Sequence, residues 1–387
     1  MRLGFAGPCD LAPLARRLNH PAGLPGGLGG AVVPLLVEAV LDIGENVVLY
    51  TLDESVAEPM RFDGPGLRVW VGPYRARRRM RDLMRLERTA IRDMIAADPA
   101  DAVAALWTYE YALGAFAAGV PTLAMANDWA PAVFRYAPDP YRAGRLALAA
   151  WCLARARHVA APSPHIAAKL GFWGLQAEIL GQPVPDLAAY RCSDKAADAP
   201  FVFVGAGFGR LKNLRPLLRA IAILRRTRSN ARLEVFGADN GPDETAARWA
   251  RANDCADGVA FRGHRPHAEV LRAVAASRAL VHPSREESFG QAVAEAMALG
   301  TPVIAHKHGG AVPWLLEDGA CGVLVDARDP AALATAMAAL AAEPGRANAL
   351  AARACASVAR RFSPDLVAAR YRDALRRISA ERATAIS

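Results

Sequence analysis

The chain has 387 residues, of which 53% are hydrophobic and 22% charged, and its net charge is +9. That length fits two domains of about 150 residues each, and the apolar content is enough for a large core, which excludes a disordered chain, a collagen-like repeat and a small disulfide scaffold. The positive charge is nearly all arginine, with lysine only at 169, 195, 212 and 307, and it fits a polyanionic partner: nucleic acid, an anionic membrane or a phosphorylated substrate.

In the first half, β runs are predicted at Arg2–Gly7, Val47–Thr51, Leu67–Val71, Ala102–Trp107, Pro121–Ala126, His158–Pro162 and Glu178–Gly181. Helical stretches alternate with them at Gly29–Ile43, Arg77–Ala97, Tyr111–Ala118, Tyr141–Ala156 and Pro164–Gly171. This alternation predicts an α/β domain with a parallel sheet covered by helices. Gln182 to Pro200 carries three prolines and mixed charges and reads as an interdomain connection. A second array follows, with strands at Phe201–Val204, Leu233–Phe236, Val259–Arg262, Ala279–His282, Pro302–Ala305 and Val323–Val325. Its helices are expected at Leu214–Arg228 and over about 267–277, 290–299 and 330–342, with two more closing the chain over 345–361 and 364–383. Two such domains facing one another leave a cleft at the C-terminal edges of their strands, where open α/β sheets bind ligands.

The segment His282 to Gly300 carries the strongest chemical signal. A polar loop follows a buried strand, then a helix that is apolar nearly all round, stopped by Gly300. Gln291 and Glu295 interrupt that helix on one face, and a buried carboxylate needs a hydrogen-bond donor. Glu287 stands in the loop before the helix N-terminus, whose free N–H groups and positive dipole end suit an anion. Gly290 allows close approach of a ligand to the backbone. From spacing alone two readings stand. One is a phosphate seat flanked by two hydroxyl-accepting carboxylates. The other is a solvated Glu287 and a Glu295 paired in the core.

Glu287-x7-Glu295, inside PSREESFGQAVAEAMALGTPVIA, resembles the signature of retaining GT-B glycosyltransferases, family 4 in particular. The stretch Gly309 to Val325 and the Phe362-Ser-Pro that opens the final helix look like the same family. The resemblance covers the C-terminal half well and the N-terminal half loosely. It implies a GT-B fold of two Rossmann-like domains about a central cleft: an acceptor domain over 1–182, a linker over 183–199, a nucleotide-sugar donor domain over 200–362, and a helix over 363–387 that crosses back to the N-terminal domain. It also implies roles. Glu295 would hold the ribose, Glu287 the donor-sugar hydroxyls, and Ser288, Phe289 and Gly290 would belong to the donor site.

Val204-Gly-Ala-Gly-Phe-Gly-Arg-Leu-Lys-Asn213 is a strand, a glycine-rich turn and a helix start. Its glycines stand as GxGxG, so the dinucleotide fingerprint fits poorly; a tight βα turn is the plain structural alternative. In the resembled family such a turn supplies the cations for the donor diphosphate, and Arg210 and Lys212 are the candidates. Ala206 departs from the arginine usual beside the first glycine. Pro25 to Gly30 reads either as a flexible loop or, by the resemblance, as a cleft-side loop in which Gly29 and Gly30 let the backbone come close to a ligand. Glu110, in Leu-Trp-Thr-Tyr-Glu-Tyr111, reads as sugar recognition or as a core edge. Asn127, in Ala-Asn-Asp-Trp129, stands where family members often carry His near the scissile bond, which leaves Asp128 and Glu110 to orient the acceptor and the leaving phosphate to act as base.

His282, His306 and His308 read as strand-end residues facing a polar cleft rather than as metal ligands, and no Asp-x-Asp pair is present. Phosphate charge would then be met by cations and helix dipoles, with no metal and no cofactor beyond a UDP- or GDP-sugar donor. Arg75 to Arg92 holds eight arginines interleaved with Met80, Leu83, Met84, Leu86 and Ile91. It reads as a basic amphipathic helix: a solvated face over a buried side, a patch for an anionic membrane or lipid-diphosphate acceptor, or a nucleic-acid surface, the last without a supporting motif.

Six cysteines, at 9, 152, 192, 255, 321 and 355, have no CxxC pairing, so reduced thiols in a cytosolic setting are expected, with neither a structural zinc nor a disulfide framework. No apolar run approaches the ~20 residues of a membrane span, and Met1 to Ala12 lacks the apolar core of a signal peptide. The expectation is a cytoplasmic transferase, peripheral at the inner membrane face, that passes sugar to a glycan or lipid-linked glycan with no nucleic-acid partner. Two other readings remain open: a non-catalytic relative that binds a glycan or protein partner, and a GT-B sugar-nucleotide epimerase.

Overall fold

The computed structural model describes residues 1–192, 195–196 and 198–386. The chain folds as two α/β units, one of Met1–Pro183 with Pro364–Ser387 and one of Val184–Ser363.

The first unit holds an eight-stranded sheet: β1 (Arg2–Ala6), β2 (Asn46–Asp53), β3 (Met60–Gly64), β4 (Leu67–Pro73), β5 (Ala102–Ala105), β6 (Thr122–Met125), β7 (His158–Ala161) and β8 (Ala177–Ile179). Their order is β3-β4-β2-β1-β5-β6-β7-β8, and every pairing is parallel except the β3–β4 hairpin. Strand residues alternate between two buried faces. Leu3, Phe5, Val47 and Leu49 meet helices Val32–Asp42 and Pro364–Ile386, whereas Val48, Tyr50 and Val103 meet helices Arg85–Ala97 and Glu110–Ala117. A parallel sheet covered on both faces needs apolar residues on both, which is why its strands read as continuous apolar runs. The final helix packs Tyr371 against Phe5, with ring centroids 6.1 Å apart, so the end of the chain belongs to the first unit.

β3 has no counterpart among the expected elements. Only Phe62 of its five residues is buried, so this edge strand shows too little apolar alternation to be read. Helix Ala130–Tyr136 was likewise not anticipated. The expected helix over Arg77–Ala97 is broken. A short 3-10 turn spans Arg79–Asp82, the backbone then turns left-handed at Leu83 (φ 54°) and Met84 (φ 59°), and the α-helix starts at Arg85. Met84 is buried at 1% exposure beside Tyr109 and Ala105. Burial of that side chain outweighs helix continuation.

The second unit holds a six-stranded parallel sheet: β9 (Phe201–Val204), β10 (Leu233–Phe236), β11 (Val259–Gly263), β12 (Ala279–His282), β13 (Val303–His306) and β14 (Val323–Val325). The order β11-β10-β9-β12-β13-β14 is the doubly wound arrangement, which reverses between β9 and β12. Helix Thr245–Ala252 was not anticipated. Of the stretch 183–199, expected as a connection, Pro183 falls in the first unit, whereas Val184 and Leu187 join the core of the second, and the Val184 N–H donates to the Phe362 carbonyl at 2.9 Å. Residues 193, 194 and 197 of that expected linker, and 387 of the expected final helix, lie outside the described residues.

Candidate functional site

In the second unit the turns after β9 and β12 flank the point where strand order reverses, the place where doubly wound sheets bind ligands. The glycine-rich turn after β9 is held from β10. A Cβ on Gly237 would come within 2.2 Å of the Gly205 carbonyl oxygen. The Gly207 N–H donates to the Ala238 carbonyl at 2.9 Å, and Asn240 Nδ2 donates to the Gly205 carbonyl at 2.7 Å.

Asn213 closes the turn in a left-handed conformation (φ 54°) and is buried. Its Nδ2 donates to the carbonyls of Pro283, at 3.1 Å, and Ala327, at 3.0 Å, and its Oδ1 accepts from Arg285 Nε at 3.1 Å. One amide thus ties together the loops that follow β9, β12 and β14. Lys212, the preceding residue, donates from Nζ to Glu287 Oε1 at 2.7 Å. His282 Nε2, at the end of β12, lies 3.1 Å from the same oxygen. Burial opposes ionisation of Glu287, but the Lys212 charge and the His282 hydrogen bond outweigh it and hold the carboxyl well below the usual carboxylate range. Glu287 is therefore an anion clamped between two donors, neither a solvated loop residue nor a free base.

The Glu287 backbone is clamped as well. Gly310 (φ 67°) lies where a Cβ would stand 2.4 Å from the Glu287 carbonyl oxygen, and the Ala311 N–H donates to that oxygen at 2.8 Å. Gly290 caps helix Gln291–Ala298 in a left-handed conformation (φ 99°). Glu295, on that helix, accepts from His267 Nε2 at 3.1 Å, and this bond raises the His267 pKa. Phe289, expected in the donor site, turns its side chain into the core. It is 2% exposed and packs edge-on against Phe362, with centroids 5.0 Å apart, so only its backbone is left for a ligand. Ser288 is half-buried in the same bend. Arg210 is exposed and has no ion pair among the described residues.

Four buried polar atoms in these loops lack a hydrogen-bond partner among the described residues: Asn240 Oδ1, His282 Nδ1, Ser284 Oγ and Gln291 Oε1. Buried polar groups are ordinarily satisfied, so their grouping at one sheet edge marks a surface prepared for a polar ligand. Sequence reasoning missed Asn213, Gly310 and His267. The signals were present, namely an Asn after the turn lysine and a Gly-Gly pair, but their partners are 70 residues or more distant or unrelated in pattern.

The first unit has its own reversal point, between β1 and β5. The Pro25–Gly30 loop is pinned there: the Gly27 N–H donates to Asp53 Oδ2 at 2.6 Å, and a Cβ on Gly29 (φ 99°) would meet the Pro8 carbonyl oxygen at 2.9 Å. Gly30 faces open space. Glu110, at the start of the helix after β5, is buried and pairs with Arg79 at 3.1 Å; burial raises its pKa. Asp128 accepts from Tyr109 Oη at 2.9 Å and pairs with Arg145 at 2.6 Å, while burial raises its pKa too. The two carboxylates pair with different arginines, and the Arg145 charge also acts on Glu110. Asn127 is fully engaged, its Nδ2 donating to the Leu106 carbonyl at 2.7 Å and its Oδ1 accepting from Gln182 Nε2 at 3.1 Å. It fixes backbone and offers no titrating group.

His306 Nδ1 accepts from the Ala327 N–H at 3.1 Å, and its ring packs edge-on against His308. Among the described residues no three His, Cys, Asp or Glu side chains are grouped to hold a metal ion, and no helix is long and apolar enough to cross a membrane.

Residues 199–343 match the family described as glycosyl transferases group 1. The D-inositol 3-phosphate glycosyltransferase of Segniliparus rotundus is 36% identical over 211 residues, which is 50% of this chain and 46% of that protein. The chain spans about half the length of such curated relatives, or less. Among solved structures, sucrose-phosphate synthase from Thermosynechococcus elongatus superposes with a TM-score of 0.79 at 22% identity, covering 98% of this chain and all of that one. Anabaena HepE in complex with UDP-glucose superposes with a TM-score of 0.70 at 17% identity, covering 97% of this chain and 99% of that one. The fold is that of the GT-B glycosyltransferases.

Proposed function

We propose that this chain, which carries a glycosyl transferases group 1 domain over residues 199–343, moves a sugar from a UDP- or GDP-sugar to an acceptor hydroxyl with retention of anomeric configuration. The observation that carries this reading is the Lys212–Glu287–His282 cluster at the reversal point of the second sheet, ringed by unpartnered buried polar atoms. Arg210 and Lys212 meet the diphosphate, together with the free N–H groups after Gly290 and the backbone of Ser288 and Phe289. Glu295 accepts from the ribose hydroxyls and Glu287 from the donor sugar. Phosphate charge is met by these cations and the helix end, without a metal.

In the transfer, the acceptor oxygen bonds to the anomeric carbon as the bond from that carbon to the diphosphate oxygen breaks. The acceptor proton passes to the departing phosphate oxygen, and the nucleoside diphosphate leaves. Asn127 takes no proton in this scheme. Glu110, Asp128 and the Gly29–Gly30 backbone orient the acceptor, a glycan or lipid-linked glycan. The UDP-glucose bound by HepE supports uracil as the first base to try.

Calorimetric titration with UDP and GDP, each with and without chelator, tests the reading. The expected result is binding of one nucleoside diphosphate, unaffected by chelator and weakened at least tenfold, or ~1.4 kcal/mol, in Glu295→Ala. No nucleotide binding would favour a non-catalytic binder. In a parallel incubation with UDP-glucose and no acceptor, formation of an epimerised sugar nucleotide would favour an epimerase.

A further inference from the structure

The arginines of residues 75–92 fall into two classes. Arg75 is chelated by Asp82, at 2.9 Å, and Glu87, at 2.7 Å. Arg79 pairs with Glu110 and lies over the rings of Tyr74, at 4.7 Å, and Tyr141, at 5.6 Å. Arg88 stacks on Trp151 at 4.9 Å, and Arg92 pairs with Asp93. These four serve the fold. Arg77, Arg78, Arg81 and Arg85 are exposed, and among the described residues none has an ion pair.

Among and just after those four stand two apolar side chains turned to solvent, Leu83 at 45% exposure and Leu86, next to Arg85, at 41%. The backbone that presents them is strained: Arg78 (φ 61°), Leu83 (φ 54°) and Met84 (φ 59°) are all left-handed without being glycine. Such strain persists only where the surroundings over-determine it. Here the Arg75 chelate, the Arg79–Glu110 pair, buried Met84 and Met80 seated against Gly144 do so. A glycine at 83 would fit this backbone with less strain, and Leu83, exposed at 45%, belongs to none of the buried apolar clusters of this unit. An exposed leucine held in an unfavourable conformation, in a segment whose exposed arginines have no ion pair among the described residues, calls for a partner that is apolar and anionic at once.

We propose that residues 77–86 are a membrane-docking loop: Leu83 and Leu86 enter the headgroup–acyl boundary of an anionic bilayer while Arg77, Arg78, Arg81 and Arg85 face its lipid phosphates. The charge is complementary, and each arginine near such a surface contributes roughly fivefold in affinity. Single-stranded nucleic acid is a poorer match, since it stacks bases on open rings, and the Arg79 guanidinium already lies over one face of Tyr74 and of Tyr141. The inference does not depend on the sugar transferred or on the donor site.

The test is co-sedimentation of the full chain with phosphatidylcholine vesicles, with and without phosphatidylglycerol, at low and physiological salt. Binding only to the anionic vesicles is expected. Leu83→Ser/Leu86→Ser should weaken it roughly tenfold, and Arg78→Ser/Arg81→Ser/Arg85→Ser should remove most of it. Leu83→Gly separates docking from folding: it relieves the left-handed strain, so the melting temperature should hold or rise while vesicle binding falls. Equal binding by the wild type and both leucine variants would overturn the proposal, as would absence of binding to anionic vesicles. Duplex DNA binding as tight as vesicle binding, and indifferent to the leucines, would also overturn it in favour of a general polyanion surface.

Discussion

Lys212 and Glu287 stand 75 residues apart in the chain and bond at 2.7 Å. The lysine follows β9 and the glutamate follows β12, the two neighbouring strands between which the sheet order reverses. The pair exists because a doubly wound sheet opens a crevice where its two halves diverge. His282 adds a second donor to the same carboxylate oxygen, so the anion is held in place before any ligand arrives.

Glu287→Gln should destabilise the second unit by about 1–3 kcal/mol near neutral pH, because Lys212 and His282 would then face a neutral amide. The wild-type advantage depends on pH. The Glu287 carboxyl is held below its ordinary value in the folded chain, so the advantage is complete above the ordinary glutamate pKa of ~4.3 and is lost as pH falls from there toward the folded value. Urea titrations of both proteins between neutral and acidic pH should show curves that converge on acidification. A constant gap would mean that the pair contributes no linkage.

His267 and Glu295 should give the opposite sign. The hydrogen bond to Glu295 raises the His267 pKa, so its contribution is complete below the ordinary histidine value of ~6.5 and is lost as pH rises through the folded value. His267→Ala should therefore cost stability at mildly acidic pH and nothing at clearly alkaline pH. Histidine NMR titration of the wild type and of Glu295→Gln checks the cause directly: the His267 resonance should titrate at lower pH in the variant.

Asn213→Ala removes three hydrogen bonds that join three loops. It should cost roughly 2–4 kcal/mol, with two buried carbonyls losing a donor, and should weaken nucleotide binding although Asn213 carries no charge. Asn213→Gly loses the same bonds but suits the left-handed backbone, so it should be less destabilised than the alanine variant. Thermal melts of the two, side by side, test the ranking.

In the first unit, Arg79→Met should be more damaging than Glu110→Gln. Loss of the arginine leaves a buried carboxylate without its cation, at a cost of about 3–5 kcal/mol, whereas the amide needs no counter-charge. Because burial raises the Glu110 pKa while Arg79 lowers it, Arg79→Met should also make Glu110 take up a proton on folding at higher pH. Burial already raises the Glu110 pKa in the wild type, so both proteins should gain from this group on acidification toward the carboxylate range, the variant more steeply and from a higher pH.

The α/β class, the strands other than β3, the final helix and the helix that carries Glu295 were legible in the chain. Buried parallel strands are continuous apolar runs, and glycine and proline punctuate them locally. These are short-range signals, carried by residues a few places apart. β3 escaped because one buried residue in five leaves no pattern. The broken helix at Leu83 escaped because its residues are good helix formers overruled by a buried Met84 and an arginine pinned 31 residues away on Glu110. Composition, periodicity and motif determined which elements form and which turn carries the cations. Only the tertiary structure decided that Lys212 and His282 clamp Glu287, that Asn213 joins three loops, and which four arginines of a basic stretch have no ion pair among the described residues. Those are contacts between residues distant in sequence, and their energy depends on burial and geometry that exist only once the sheets are assembled.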